Sequence, residues 1–73
     1  MKIVDARGLP HPEPFERVVD ALTELAPGDQ LKLIIDREPR PLYRFLESNR
    51  YAYKAEAYPD GRFEILMWEL GTD

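Results

Sequence analysis

The chain has 73 residues, of which 44% are hydrophobic and 33% charged, with a net charge of −4 and no cysteine. This length supports one small hydrophobic core, and the composition is typical of a folded domain rather than a disordered segment. The lack of cysteine excludes disulfides and thiol chemistry, and the acidic balance argues against nucleic-acid binding. No apolar run reaches the ~20 residues that cross a bilayer, so we expect a cytoplasmic protein without membrane contact.

The first half of the chain predicts a strand, a helix and a second strand. Lys2 to Asp5 is short and β-branched, and it precedes a turn at Gly8 and Pro10. We expect a helix that begins near Pro12 and ends at Ala26, before a proline and a glycine. Its apolar residues form one stripe, made of Phe15, Val18, Val19, Leu22 and Leu25.

Gln30 to Asp36 is apolar at nearly every position, as expected for an inner strand. Because a helix separates it from the first strand, the two strands should pair in parallel.

The second half predicts a short helix and a hairpin. Pro41 opens a helix that ends near Ser48 and Asn49, with Leu42, Phe45 and Leu46 on one face. Tyr51 to Tyr58 and Arg62 to Glu69 alternate between apolar and polar residues, and Pro59-Asp60-Gly61 joins them.

These elements predict an α/β (α+β) fold of the order βαβαββ. Two amphipathic helices and one sheet most simply form a two-layer sandwich, with both helices on one face of a four-stranded mixed sheet. We expect a single domain over residues 1–70 and a loose tail over 71–73. Leu66 and Trp68, or the residues that alternate with them, would lie on the open face of the sheet. This face either stays solvated, with Trp68 covering the sheet, or joins two copies in a homodimer.

Two segments carry a resemblance to a known family. Residues 5–14, with the sequence DARGLPHPEP, and the later segment LAPGD at 25–29 resemble the TusA/SirA-like sulfur carriers. Their pattern is D-x-R-G-L-x-C-P-x-P, followed by a helix and P-G-E. The continuation DREPRPL at 36–42 resembles a related uncharacterised bacterial domain family with the signature D-x-x-P-x-P-L. The chain is therefore identified as a member of a cysteine-free branch with a TusA-like domain.

The resemblance implies that His11 occupies the position of the sulfur-carrying cysteine, at the N-terminus of the first helix. A histidine cannot hold a persulfide sulfur, so the family's transfer reaction is not implied here. His11 could be a general base, a metal ligand or a hydrogen-bond donor to a bound anion, but an exposed loop histidine is the simpler interpretation. The sequence has no second histidine and no cysteine that could complete a metal site. We therefore expect neither a metal nor a cofactor.

Several arginines are expected near the ends of the two parallel strands. Arg7 and Arg37 follow these strands beside the helix N-termini, a common ligand position in α/β sheets. Guanidinium groups and free helix N–H groups would favour an anion. The alternative is that these arginines form surface ion pairs: Arg7 with Asp36 or Asp5, and Arg40 and Arg44 with Glu38 and Glu47. The candidate ligand-binding residues are Arg7, His11, Glu13, Asp36, Arg37 and Arg40.

Two functions follow from these observations. The preferred one is a non-enzymatic binding domain that docks a protein partner or a small anion at the N-terminal rim of the first helix, as a monomer or a weak homodimer. The other is an enzyme or accessory factor of sulfur, nitrogen-oxide or redox metabolism, in which His11 performs acid–base work with Asp36 or Asp5. No catalytic residue is assigned, because no activated nucleophile or second titratable partner lies at a convincing spacing.

Overall fold

The computed structural model describes residues 1–71. The elements are β1 (Lys2–Asp5), α1 (Glu13–Thr23), β2 (Leu31–Ile35), α2 (Arg40–Ser48), β3 (Tyr51–Ala57) and β4 (Phe63–Glu69). This is the predicted order βαβαββ, with element ends that differ from the predicted ones by up to three residues. Of the predicted tail at 71–73, positions 72 and 73 lie outside the described residues.

The four strands form one mixed sheet in the order β1-β2-β4-β3. β1 pairs with β2 in parallel, as the helical crossover requires, whereas β4 pairs antiparallel with both β2 and β3. β1 and β3 are therefore the two edge strands. The architecture is the predicted α+β arrangement of two helices and a four-stranded sheet.

The core lies between the helices and one face of the sheet. Leu31, Leu33 and Ile35 alternate along β2, and Ile65 and Met67 lie opposite them on β4. Each of these side chains is at most 2% exposed. Val18, Ala21 and Leu22 from α1 and Leu42 and Leu46 from α2 complete the cluster. Packing against one shared face places both helices on the same side of the sheet.

α1 ends earlier than the sequence predicted. The helix stops at Thr23, and the N–H of Glu24 donates to the carbonyls of Ala21 and Leu22. Leu25 continues this tightened turn, because its N–H donates to the Leu22 carbonyl at 3.2 Å. Leu25 still packs against the core, so its place in the apolar stripe does not require a helical backbone.

The opposite face of the sheet has no covering layer within residues 1–71. Leu66 and Trp68 lie on this face and are half-buried, while their alternates Ile65 and Met67 are buried beneath the helices. Ile3 also lies on this face and is 62% exposed. No helix in the described chain has the length and apolar character that a membrane span requires.

Candidate functional site

The parallel ladder between β1 and β2 continues into the turns that follow the two strands. The Ala6 N–H donates to the Ile34 carbonyl at 2.8 Å, and the Gly8 N–H donates to Asp36 Oδ2 at 3.0 Å. Gly8 has a φ of +78°, a conformation that glycine adopts without strain. Asp36 is thus a structural acceptor that holds the β1–α1 turn beside the end of β2.

A cavity of about 220 Å³ lies beside these strand ends, between the first turns of α1 and α2. The buried side chains of Leu33, Ile35 and Leu42 form its floor, and the exposed His11 and Arg37 stand at its mouth. The remaining lining residues are Pro14, Phe15, Glu38, Pro39 and Pro41. The cavity is therefore apolar inside and charged only at its entrance.

Two Pro-x-Pro segments shape the walls of this cavity. α1 is preceded and opened by Pro12-Glu13-Pro14, and α2 by Pro39-Arg40-Pro41. Proline is favoured in the first turn of a helix because it has a fixed φ and needs no hydrogen-bond acceptor. In the sequence these prolines mark the helix starts and belong to two of the segments that carry a family resemblance. Their repetition at both helices is the signal that could have located the cavity.

The same prolines leave few amide donors for an anion. In α1, the Glu13 N–H donates to the Pro10 carbonyl at 2.9 Å, and the Glu16 N–H donates to the Pro12 carbonyl at 3.1 Å. Since Pro12 and Pro14 have no N–H, the Phe15 amide remains without a partner among residues 1–71. In α2, the N–H groups of Arg40, Leu42 and Tyr43 all donate to nearby carbonyls. The free helix N–H groups expected from the sequence are therefore largely absent.

Three of the six candidate residues form local ion pairs and do not line the cavity. Arg7 binds Asp5 through two contacts, Nε to Oδ1 at 3.0 Å and Nη2 to Oδ2 at 2.7 Å. These bonds lower the pKa of Asp5 to about 2 and raise the pKa of Arg7. Arg40 bonds Glu38 at 3.3 Å, and Glu13 lies 4.0 Å from Arg17.

His11 and Arg37 are the two candidate residues that line the cavity. Arg37 Nη2 donates to the Leu9 carbonyl at 3.3 Å, which holds the guanidinium against the β1–α1 turn. The His11 imidazole makes no hydrogen bond within residues 1–71, and the His11–Pro12 peptide is cis. No group of three or more His, Cys, Asp or Glu side chains in the described chain is arranged to hold a metal ion.

The chain resembles a protein family in sequence and a solved structure in fold. The model of a family described as an uncharacterised conserved protein, DUF2249, matches residues 3–69. The crystal structure of a SirA-like protein from Desulfitobacterium hafniense has a similar fold, with a TM-score of 0.83 and 26% sequence identity. The likeness covers 92% of this chain and 95% of that one. No curated protein matches the chain.

Proposed function

The chain belongs to the DUF2249 family, and we propose that it is a binding domain that docks a protein partner on a SirA-like scaffold without cysteine. The observation that carries the proposal is the cavity between the two helix starts, with its apolar floor and with Arg37 and His11 at its mouth. Binding sites commonly combine an apolar surface with a few polar groups that fix orientation.

The size of the cavity favours a side chain over a larger ligand. Small-molecule and cofactor sites usually enclose about 300–1,000 Å³. At about 220 Å³ this cavity is smaller, and it suits one aliphatic or aromatic side chain of a peptide. Such a buried anchor is a common source of affinity in protein interfaces.

Arg37 selects the residue beside this anchor. Its guanidinium forms no ion pair within residues 1–71, whereas Glu38, the acidic residue at the mouth, is engaged by Arg40 at 3.3 Å. Arginine binds carboxylates through two parallel hydrogen bonds. The preferred partner therefore presents an apolar side chain next to an Asp or Glu.

Peptide selection tests this proposal directly. A displayed library of random peptides selected on the immobilised protein should enrich Leu, Ile, Phe or Trp next to an acidic residue. Arg37→Glu should remove the acidic preference because it reverses the charge at the mouth. Arg44→Glu is the matched control, since Arg44 is exposed on α2 and does not line the cavity. Enrichment of sequences without an apolar anchor, or equal loss with both variants, would contradict the proposal.

A small free anion is the second ligand class, and titration separates it from a protein partner. Phosphate, sulfate, thiosulfate and nitrite should each bind only at millimolar concentration or above. The reason is that few free helix N–H groups are available to bind the anion together with Arg37. The affected amide NMR signals should be those of the non-proline residues within 11–15 and 37–42, while Asp60 and Gly61 stay unchanged. Micromolar binding of one anion, abolished in Arg37→Ala, would favour an anion-binding function instead.

A further inference from the structure

β3 presents an unpaired backbone edge along seven residues. Its hydrogen bonds to β4 alternate: the Tyr58 N–H donates to the Arg62 carbonyl and the Leu70 N–H to the Arg50 carbonyl, both at 2.9 Å. The even-numbered residues of β3 therefore direct their backbone groups toward β4. The N–H and C=O groups of the odd-numbered residues, Tyr53, Ala55 and Ala57 among them, point away from the sheet.

Two opposite charges flank the middle of this edge. Lys54 and Glu56 lie on the same face of the sheet, both are exposed, and neither forms an ion pair within residues 1–71. Ala55 between them is small and exposed, so no bulky side chain blocks approach to the edge. Exposed edges in monomers are usually protected by charged side chains, especially lysine, by a proline or by a bulge. Here the lysine has a matching glutamate two residues away.

We propose that a second copy of this chain pairs antiparallel with β3 about a two-fold axis at Ala55. In that register Tyr53 faces Ala57 of the second copy and Ala55 faces itself, so the outward N–H and C=O groups bond one another. Lys54 then faces Glu56 of the second copy, and Glu56 faces its Lys54. Both contacts are non-hydrogen-bonded pairs, in which opposite side chains come closest.

Two requirements select this register: opposite charges must face each other, and outward-pointing backbone groups must face outward-pointing ones. A two-fold axis at Lys54 would place two lysines opposite each other, and an axis at Glu56 would place two glutamates opposite each other, which is unfavourable. An axis at Tyr53 would set Lys54 against Ala52, and the only residue opposite Glu56 would be Arg50, which precedes β3. Registers that match odd with even residues would bring outward backbone groups against inward ones. The axis at Ala55 is the register that matches the backbone groups and pairs complementary charges from within β3 itself.

Charge reversal with rescue tests the proposal. Sedimentation of the unmodified chain should show a monomer–dimer equilibrium. Lys54→Glu and Glu56→Lys should each raise the dimer dissociation constant at least about tenfold, because each variant sets like charges opposite at both contacts. Glu16→Lys, a charge reversal at an exposed position on α1, should leave the dimer unchanged. Circular dichroism of each variant checks that the fold is retained.

Mixing the two variants distinguishes pairing from a general charge effect. An equimolar mixture of Lys54→Glu and Glu56→Lys should form a heterodimer, since every contact again joins a lysine and a glutamate. The double variant K54E/E56K should likewise regain the homodimer. Amide hydrogen exchange should slow with protein concentration at Tyr53, Ala55 and Ala57. A monomer at all concentrations, no rescue on mixing, or a dimer abolished only by Trp68→Lys on the open face would overturn the proposal.

Discussion

Two stacked tyrosines differ in how their hydroxyl groups are satisfied. The rings of Tyr43 and Tyr53 are 4.8 Å apart and almost parallel, which fastens α2 to β3. The Tyr53 hydroxyl donates to Glu47 Oε2 at 2.7 Å. The Tyr43 hydroxyl is buried and has no partner in hydrogen-bond geometry among residues 1–71. Burial, and then the nearby Glu38 carboxylate, raise the pKa of Tyr43.

This difference predicts opposite effects for the same substitution. Tyr43→Phe removes a buried hydroxyl that has no hydrogen bond, so the free energy of unfolding should stay the same or rise by up to about 1 kcal/mol. Tyr53→Phe keeps the stacked ring but removes the bond to Glu47, so it should lower the free energy of unfolding. Urea denaturation of both variants measures the contrast. A Tyr43→Phe protein less stable than Tyr53→Phe would show that the Tyr43 hydroxyl has a stabilising partner.

The placement of single side chains was the part of the site least accessible from sequence. The strand and helix order brought Arg7, Arg37 and His11 to one end of the sheet. The order of strands and helices did not decide whether Arg7 would bind Asp5 or Asp36, because it placed both carboxylates near the Arg7 side chain. That choice depends on side-chain geometry: Asp36 already accepts the Gly8 N–H, whereas Asp5 meets Arg7 two residues along the chain. Only His11 and Arg37 of the candidate residues reach the cavity.

At the scale of elements, the apolar stripe of α1 makes a strong stability prediction. Leu22 is 5% exposed and lies within the core cluster. Leu22→Ala should lower the free energy of unfolding by about 2 to 5 kcal/mol, because it removes buried methyl groups and leaves a cavity. In a domain of this size such a loss is a large part of the total stability. Thermal melting should show the change, while exposed Glu16→Ala serves as the control. An unchanged melting temperature would contradict the role of this stripe in the core.

Element order was predictable because each segment has its own periodicity and its own terminating residues. Leu22 and Leu46 follow the helical period, so their burial was expected. The strand period of two separated Ile65 and Met67 from Leu66 and Trp68 but did not decide which pair would be buried. The cavity was not predictable in this way. It depends on how far the first turns of α1 and α2 stand apart over β2, a distance between two elements that no single periodic pattern encodes.

At the scale of the whole molecule, carboxylates around the sheet are held in their charged form. Arg7 lowers the pKa of Asp5 to about 2, and the Gln30 N–H lowers the pKa of Asp29. The Arg62 N–H lowers the pKa of Asp60, and the Arg62 side chain lowers the pKa of Glu64. All four shifts have the same sign, so between the folded and unfolded pKa values the unfolded chain binds more protons than the folded one. Stability therefore rises with pH across that window.

This linkage predicts loss of stability in acid and a specific response of one variant. The urea midpoint should be constant from about pH 6 to 8, above the unfolded carboxyl pKa values, and should fall as the pH drops below about 4.5. Glu64 accepts bonds from Arg62 at 2.9 Å and Lys32 at 3.3 Å, so Glu64→Gln should lower the midpoint at pH 7. Once the pH is low enough to protonate the Glu64 carboxyl in the folded state as well as in the unfolded state, the two proteins should converge. Glu16→Gln should follow the unmodified chain throughout. The two proteins could instead differ in urea midpoint by the same amount at every pH. That result would show that the contribution of Glu64 to stability does not depend on its charge.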